Sequence, residues 1–304
     1  MTTMLQLVQQ VTNELGLTTP TQVASNTTQD VVQILALMNA SGMELLRKAD
    51  WRALTAAYTF FTDFTTTTGT YSPAARTITG IPSTAGLDTT YMVVGSGFPN
   101  ATFIQSVDSS TQVTATNYST ETVVGGTVYF QKVKYALPSD YDAIVPRTQW
   151  DKSKHWEMLG PEDAQQWEWL LSGFIATGPR VRWRLFGDYF QIWPGFSNAE
   201  FLGFEYRSQA WARAADGTPK NYFTADTDTC IYKDRLVVLM TKLKFFEAKG
   251  FDTTAMYRNY LTELETDIAQ DTSYPNLSFA PRPTNILIGW DNTPDTGYGP
   301  AGGP

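Results

Sequence analysis

The apolar positions of the first fifty residues fall at helical spacing. Met4, Leu7, Val8, Val11 and Leu15 recur every three or four residues, and Gly16 follows as a stop. After the turn-forming stretch TPTQVASNTTQD, Thr27 and Asp30 are read as a capping pair. Val31, Ile34, Leu35, Met38, Leu45 and Leu46 then give a second stripe. Two helices joined by so short a loop are expected to pack antiparallel. KADWRALTAAYTFF leaves the helix and enters a strand.

Residues 64–131 change character. Thr, Ser, Gly and Val dominate, and only Arg76, Asp88, Asp108 and Glu121 are charged. Strands are predicted at RTITGI, TYMVVGSG, TFIQSVDS, TQVTATN and TVYFQKVKY, divided by Gly, Pro, Asn and Asp-Ser turns. Short strands at this spacing predict a small barrel or sandwich. The flanking YTFFTDF and YFQKVKYALPSDY are read as two stems of one hairpin, with the β-domain inserted at its tip.

Beyond residue 132, ALPSDYDAIVP is a Pro-bounded connection. A helix is predicted from Pro161 to about Leu171, with Pro161 in the first turn and Glu162 and Asp163 at its positive end. RVRWRLFGDYFQIWPG reads as a hairpin turning at Gly187-Asp188, with Val181, Trp183 and Leu185 alternating with Arg180, Arg182 and Arg184. AEFLGFEYRSQA is read as a third strand, giving a sheet with one Arg-rich face that needs acidic partners or solvent. TCIYKDRLVVLMTKLKFFEAKG predicts a helix that carries Cys230 and ends at Gly250, with Lys242, Lys244 and Lys249 near its negative end. DTTAMYRNYLTELETDIAQD predicts another, with Asp252 as N-cap and Tyr257, Tyr260, Leu261, Leu264 and Ile268 on one side. From Tyr274, Pro and Gly bar a packed element, yet NILIGW is strongly apolar, so the tail is read as an extended docking arm.

The pattern predicts an α+β protein: a helical core with a small antiparallel sheet, plus an inserted all-β domain of barrel or sandwich type. Its parts are 1–58, the insert 59–131, 132–273 with the sheet and closing helices, and the arm 274–304.

Composition narrows the function. The 304-residue chain is 42% hydrophobic and 17% charged, which is globular, and its net charge is -8. An acidic protein gains nothing from phosphate neutralisation, so DNA is expected to pass it without specific binding. Cys230 and His155 are the only residues of their kinds, so neither a disulfide nor a spaced metal-ligand set is expected. The chain has no phosphate-cradling Gly-x-x-x-x-Gly-Lys-Ser/Thr loop and no Gly-x-Ser-x-Gly elbow, and no cofactor is expected. The N-terminus lacks the basic and apolar regions of a signal peptide, and no run reaches the roughly 18 apolar residues of a membrane span.

The span TQWDKSKHWEMLGPEDAQQWEWLL gathers His155, four tryptophans and the carboxylates Asp151, Glu157, Glu162, Asp163 and Glu168. A nucleophile triad would need His155, whose neighbours Lys154 and Trp156 indicate a polar loop. A carboxylate pair for glycoside hydrolysis beside sugar-stacking tryptophans is a second reading. Helix-start logic instead gives Glu162 and Asp163 to the helix terminus and Glu168 to its exposed face, burying Trp167 with Leu170 or Leu171. The third reading is a docking surface, since Trp and Arg are frequent interface anchors. Six of the nine tryptophans lie between Trp150 and Trp193, more than a core requires. The candidate interface residues are Trp150, Trp156, Trp167, Trp169, Arg180, Arg182 and Arg184, with Ile286, Leu287, Ile288 and Trp290 of the tail.

The order of these pieces resembles the head-to-tail adaptor (connector, tail tubular protein A-like) proteins of short-tailed bacteriophages. LQLVQQVTNELGL…VASNTTQDVVQILALMNASGMELLRKADWRAL resembles the family's opening helix pair with its Asp-Trp turn. YALPSDYDAIVPRTQWDKSKHWEMLGPEDAQQWEWLLS resembles the link into its central sheet, and FEYRSQAW with two closing helices completes it. ARTITGIPSTAGLDTTYMVVGSGFPNATFIQSVDSSTQVTAT is similar to a Thr/Ser/Gly-rich β-module of phage tail and virion proteins. The resemblance covers most of residues 1–280. It implies a non-enzymatic structural protein at the head-tail junction of the virion, present in host cytoplasm during assembly. It further implies a twelve-fold homo-oligomeric ring between the portal protein and the tail nozzle protein, prolonging the DNA channel, with no membrane partner. The large insert departs from the shortest members, whose corresponding loop is small. The alternative is a tail-associated carbohydrate-binding or carbohydrate-cleaving protein.

Overall fold

A computed structural model of the chain describes residues 2–173 and 180–271. It contains helices and antiparallel sheets, a mixed α+β fold. The described residues divide into two compact units. One holds the chain up to Ala56, Ser139–Ile144, and everything from Tyr206 onward; the other holds Ala57–Pro138 and Val145–Glu205. The predicted tail arm, with Ile286, Leu287, Ile288 and Trp290, lies outside the described residues.

The first unit is built on the helical stripes read from the sequence. Helix α1 spans Met4–Leu15, closed in front by a reciprocal Thr3–Gln6 capping box and behind by Gly16 in the left-handed conformation. Helix α2 spans Gln29–Leu46. Its N-cap is Thr28, which makes no side-chain cap bond, so the expected Thr27–Asp30 pair is corrected. Their buried stripes meet α4 (Asp234–Lys249), which packs on α1, α2 and the closing helix α5 (Thr254–Asp271). The first two helices therefore share α4 as their main support instead of forming a self-sufficient pair. Lys242 and Lys244 serve this packing: Lys242 Nζ lies 2.7 Å from Glu14 of α1 and Lys244 Nζ 2.6 Å from Glu44 of α2.

Three local expectations shift here. Cys230 is buried but sits in the short strand Thr229–Cys230, four residues ahead of α4 and not inside it. Asp252 precedes the α5 cap by one residue and accepts from the Thr254 amide at 2.9 Å. On α5, Tyr260 and Leu264 are buried, Leu261 and Ile268 are partly buried, and Tyr257 is exposed. The sequence Asp50-Trp51 makes a defined turn: the Trp51 indole donates to the Leu45 carbonyl at 2.7 Å, and that carbonyl in the last turn of α2 also accepts the Lys48 amide at 3.1 Å.

The strands, in chain order, are β1 (Thr55–Phe61), β2 (Phe64–Ser72), β3 (Ala75–Thr79), β4 (Tyr91–Val94), β5 (Ile104–Ser109), β6 (Gln112–Ala115), β7 (Val123–Lys132), β8 (Lys134–Ala136), β9 (Tyr141–Ile144), β10 (Trp150–Asp151), β11 (Trp156–Glu157), β12 (Arg182–Phe186), β13 (Tyr189–Trp193) and β14 (Phe201–Ser208). Strands β2–β7 form a six-stranded antiparallel sheet in the order β4-β7-β2-β3-β6-β5. The sheet curls until its edge strands meet at a Met92–Phe103 bridge, with the Val93 amide donating to the Thr102 carbonyl at 2.7 Å. Tyr71, Ile78, Tyr91, Val93, Ile104, Val113, Val128 and Phe130 fill its interior. This is the stretch expected as an inserted β-domain, and it belongs to the same compact unit as β8 and β10–β13; closure of this kind leaves little free edge.

The expected hairpin stems are corrected. Phe64 pairs with Gln131 and opens the insert, but β1 before it pairs with β14, far along the chain. At the neck, the Lys132 amide donates to the Asp63 carbonyl at 2.9 Å, and Tyr91 donates its hydroxyl to the Asp63 carboxylate.

Candidate interaction surface

The rest of the second unit is two small sheets facing each other across aromatic rings. One carries β1-β14-β10-β11; the other carries β12-β13-β8. Trp183 stacks on Phe190 with centroids 5.3 Å apart, Phe190 on Phe204 at 4.7 Å, and Phe60 lies 4.2 Å from Tyr135. The expected partner of the Arg hairpin is therefore corrected: the third strand of its sheet is β8, and AEFLGFEYRSQA builds β14 of the opposite sheet.

The β12–β13 hairpin turns at Gly187-Asp188, and Gly187 supplies the positive φ of 58° that the first position of a two-residue turn demands. Its register sets Arg182 opposite Trp193, Arg184 opposite Gln191 and Phe186 opposite Tyr189. Period-two geometry places these six side chains on one face, with Lys134 of β8 beside Gln191. Trp183 and Phe190 occupy the other face, in the aromatic layer.

The Arg-rich face is not an open basic stripe. Arg182 pairs with Glu162 at 2.6 Å. Arg184 donates through Nε to Gln191 Oε1 at 2.9 Å, and its guanidinium lies 4.6 Å from the Trp167 ring centroid and 4.7 Å from that of Phe186. Burial lowers the pKa of this guanidinium, and the Glu168 charge opposes the shift. Arg180 is exposed.

Trp167 reaches Arg184 from helix α3 (Ala164–Leu171). The helix begins later than expected. Asp163 is the N-cap and accepts from the Gln166 amide at 2.7 Å, while Pro161 and Glu162 lie ahead of the helix. Glu162 is committed to β12 instead: its amide donates to the Trp183 carbonyl at 3.0 Å and its carboxylate pairs with Arg182. Trp167 and Leu170 are buried, and Trp169 is 48% exposed.

The remaining members of the tryptophan-rich span form the β10–β11 hairpin. Trp150 and Trp156 are both half-buried, opposite Glu157 and Asp151 respectively. His155 is exposed in the loop between them, with a positive φ of 60°. Asp151 is buried and accepts from the Ser153 and Lys154 amides, each at 3.0 Å. Burial pushes its pKa up, and the nearby Glu200 adds to the rise. Glu200 is itself buried and pairs with Lys154 at 3.2 Å; bonds from Asn198 and Lys154 outweigh burial and hold its pKa down. These carboxylates organise the loop through backbone amides and Lys154, a structural use of Asp151, which was singled out in the sequence, and of Glu200, which was not.

Where α3 stops covering the Arg face, a slot of about 120 Å³ remains. Its walls come from four separate segments: Phe103 of the insert, Lys134 of β8, Trp167 and Leu171 of α3, and Arg184, Phe186 and Trp193 of the hairpin. Among the described residues, Lys134 and Arg184 are the charged groups that line it, and no carboxylate does. Phe103, Lys134 and Phe186 were not singled out in the sequence. Only Phe186 carried a signal, as a large apolar residue directly before a polar turn.

The helical unit carries a larger cleft of about 1010 Å³ between the end of α2 and the end of α5, lined among others by Arg47, Arg52, Asp142, Arg207 and Asp271. Arg207 bridges Asp50 and Asp142 across it. Among the described residues, no group of His, Cys, Asp or Glu is placed to hold a metal ion, and no helix is long and apolar enough to cross a membrane. No family model matches the chain, and no curated protein matches it.

Proposed function

We propose that this protein is a ring-forming structural adaptor of a bacteriophage virion, placed between the portal and the tail nozzle and prolonging the DNA channel. The observation that carries the reading is the closure of the chain on itself: α1 and α2 from its beginning share one core with α4 and α5 from near its end, and the β-material is looped out between them. This is the order of pieces that the resemblance to head-to-tail adaptors implies. Exposed aromatic residues on the second unit supply area for contacts with neighbours or nozzle, where aromatic anchors dominate binding energy. Copies of net charge -8 would give the channel an acidic character suited to DNA that slides without sticking. The protein is non-enzymatic in this reading and acts at the head-tail junction.

Mixing the full chain with its cognate portal and imaging the product by electron microscopy tests the proposal. The expected result is a ring of copies, twelve-fold, stacked on the portal. Absence of association, together with cleavage or binding of a cell-surface polysaccharide, overturns it in favour of a carbohydrate-directed tail protein.

A further inference from the structure

We propose that the slot beneath Arg184 is the receiving half of a contact between two copies of this chain, and that it takes an apolar side chain flanked by a carboxylate from the second copy. This rests on the ring-forming reading above and names the partner of one surface.

The slot is built for an anion on an apolar body. Arg184 is fixed between the Trp167 and Phe186 rings and oriented through Nε by Gln191, which is buried. It makes no salt bridge among the described residues; Glu168, the acid whose charge it feels, forms no ion pair with it. A planar guanidinium whose orientation is already set loses little freedom on meeting a carboxylate. Lys134 adds a second cation, spread over the Phe103 ring at 5.4 Å. The volume of about 120 Å³ is close to the ~150 Å³ apolar cavity that accepts a benzene ring, so it admits one side chain.

The surroundings point to a protein occupant. Phe186 is 59% exposed and its cross-strand neighbour Tyr189 is exposed beside it, while Trp169 stands exposed on α3. Large aromatics grouped about a concave pocket are the pattern of an interface anchor site. Charge selects the second copy: each chain carries 30 acidic against 22 basic residues, so its surface offers carboxylates to a slot that has none among the described residues. Slot cannot meet slot, because Arg184 and Lys134 would oppose their own copies. The complement is a different part of the neighbour, as head-to-tail contacts in a ring require.

The test places a photo-reactive benzoylphenylalanine at position 186 of the full chain and irradiates it alone and bound to the portal. Mass spectrometry is expected to find crosslinks between copies, to a peptide containing Asp or Glu. Phe186→Asp, an exposed change that leaves folding intact by circular dichroism, is expected to weaken copy–copy association at least tenfold in sedimentation velocity. Arg184→Glu is expected to do the same, with recovery when the crosslinked acid is changed to Arg. Rings on the portal without crosslinks from position 186 overturn the slot and leave the adaptor standing. Crosslinked copies that never engage a portal leave the slot standing and overturn the adaptor. Copies that neither crosslink nor associate overturn both, and crosslinks to added DNA in place of protein overturn the slot's assignment.

Discussion

The indole of Trp211 occupies the space that a side chain at Gly42 would need: a Cβ added there falls 2.3 Å from Cζ2 and 2.4 Å from Cε2 of the ring. Gly42 lies inside α2, where glycine ordinarily costs about 1 kcal/mol relative to alanine. Here both partners are fully enclosed, and Trp211 is pinned further by Phe223 and Tyr232 at ring distances of 4.8 and 6.1 Å. Gly42→Ala should therefore reverse the usual sign and destabilise by about 1–3 kcal/mol, the range for overpacking a core. Urea unfolding of the full chain checks this; an unchanged or higher midpoint shows that the indole has room to move.

Acidification should loosen the helical unit through two lysines of α4. Lys242 bonds Glu14 and holds its pKa below the usual carboxylate value of 4.5. At Glu44 burial pushes the pKa up, but Lys244 and Lys48 outweigh it and the net shift is downward. A carboxylate whose folded pKa is depressed adds stability above its unfolded pKa and loses it as pH falls through the folded value. The stability difference between wild type and a Glu14→Gln, Glu44→Gln double variant is thus present at pH 7 and vanishes well below pH 4.5. Each pair is partly solvated, so the pH 7 effect is about 0.2–1 kcal/mol per pair. Thermal melts of both proteins from pH 7 to pH 3 measure it, and parallel curves across that range count against the linkage.

The helices with long stripes were legible because tertiary burial follows the 3.6-residue period. Met4, Leu7, Val8 and Val11 are all wholly buried, as their spacing required. The β12–β13 hairpin was legible because Gly187-Asp188 fixes its turn and hence its register. Sheet partnership was not. Alternation in AEFLGFEYRSQA identifies a strand but contains nothing that chooses β1 over the hairpin as its neighbour. The slot was hidden for a related reason: Phe103, Lys134, Trp167 and Arg184 belong to four segments brought together only by packing. In the tryptophan-rich span, composition marked the region while burial divided it, sending Trp167 inward and Trp169 outward on one helix.

Removing the indole donor at Trp51 should fray the end of α2. Its Nε1 donates to the buried-side carbonyl of Leu45, and its ring meets Tyr232 edge-on at 5.3 Å. Trp51→Phe keeps much of the ring contact and deletes the donor; the carbonyl still accepts the Lys48 amide at 3.1 Å, so the cost is that of one lost hydrogen bond, about 0.5–1.5 kcal/mol. Hydrogen exchange is the direct readout: amides of the last turn of α2 should lose protection more than those of α1. Uniform loss across both helices would point to a general packing defect instead.

The eight-residue helix α3 depends on its cap more than a longer helix would. Helices this short are unstable alone, and Trp167 and Leu170 provide its only two buried anchors. The Asp163 carboxylate accepts the Gln166 amide and places negative charge at the positive end of the helix. Asp163→Ala should cost about 0.5–2 kcal/mol locally, whereas Asp163→Asn keeps the acceptor and loses only the charge term. Because Trp167 forms one wall around Arg184, fraying of α3 should also open that wall. The Ala variant should then show faster exchange at α3 amides and a red-shifted tryptophan emission, with the Asn variant close to wild type. Equal behaviour of the two variants would place the effect of Asp163 in its charge and not in the capping bond.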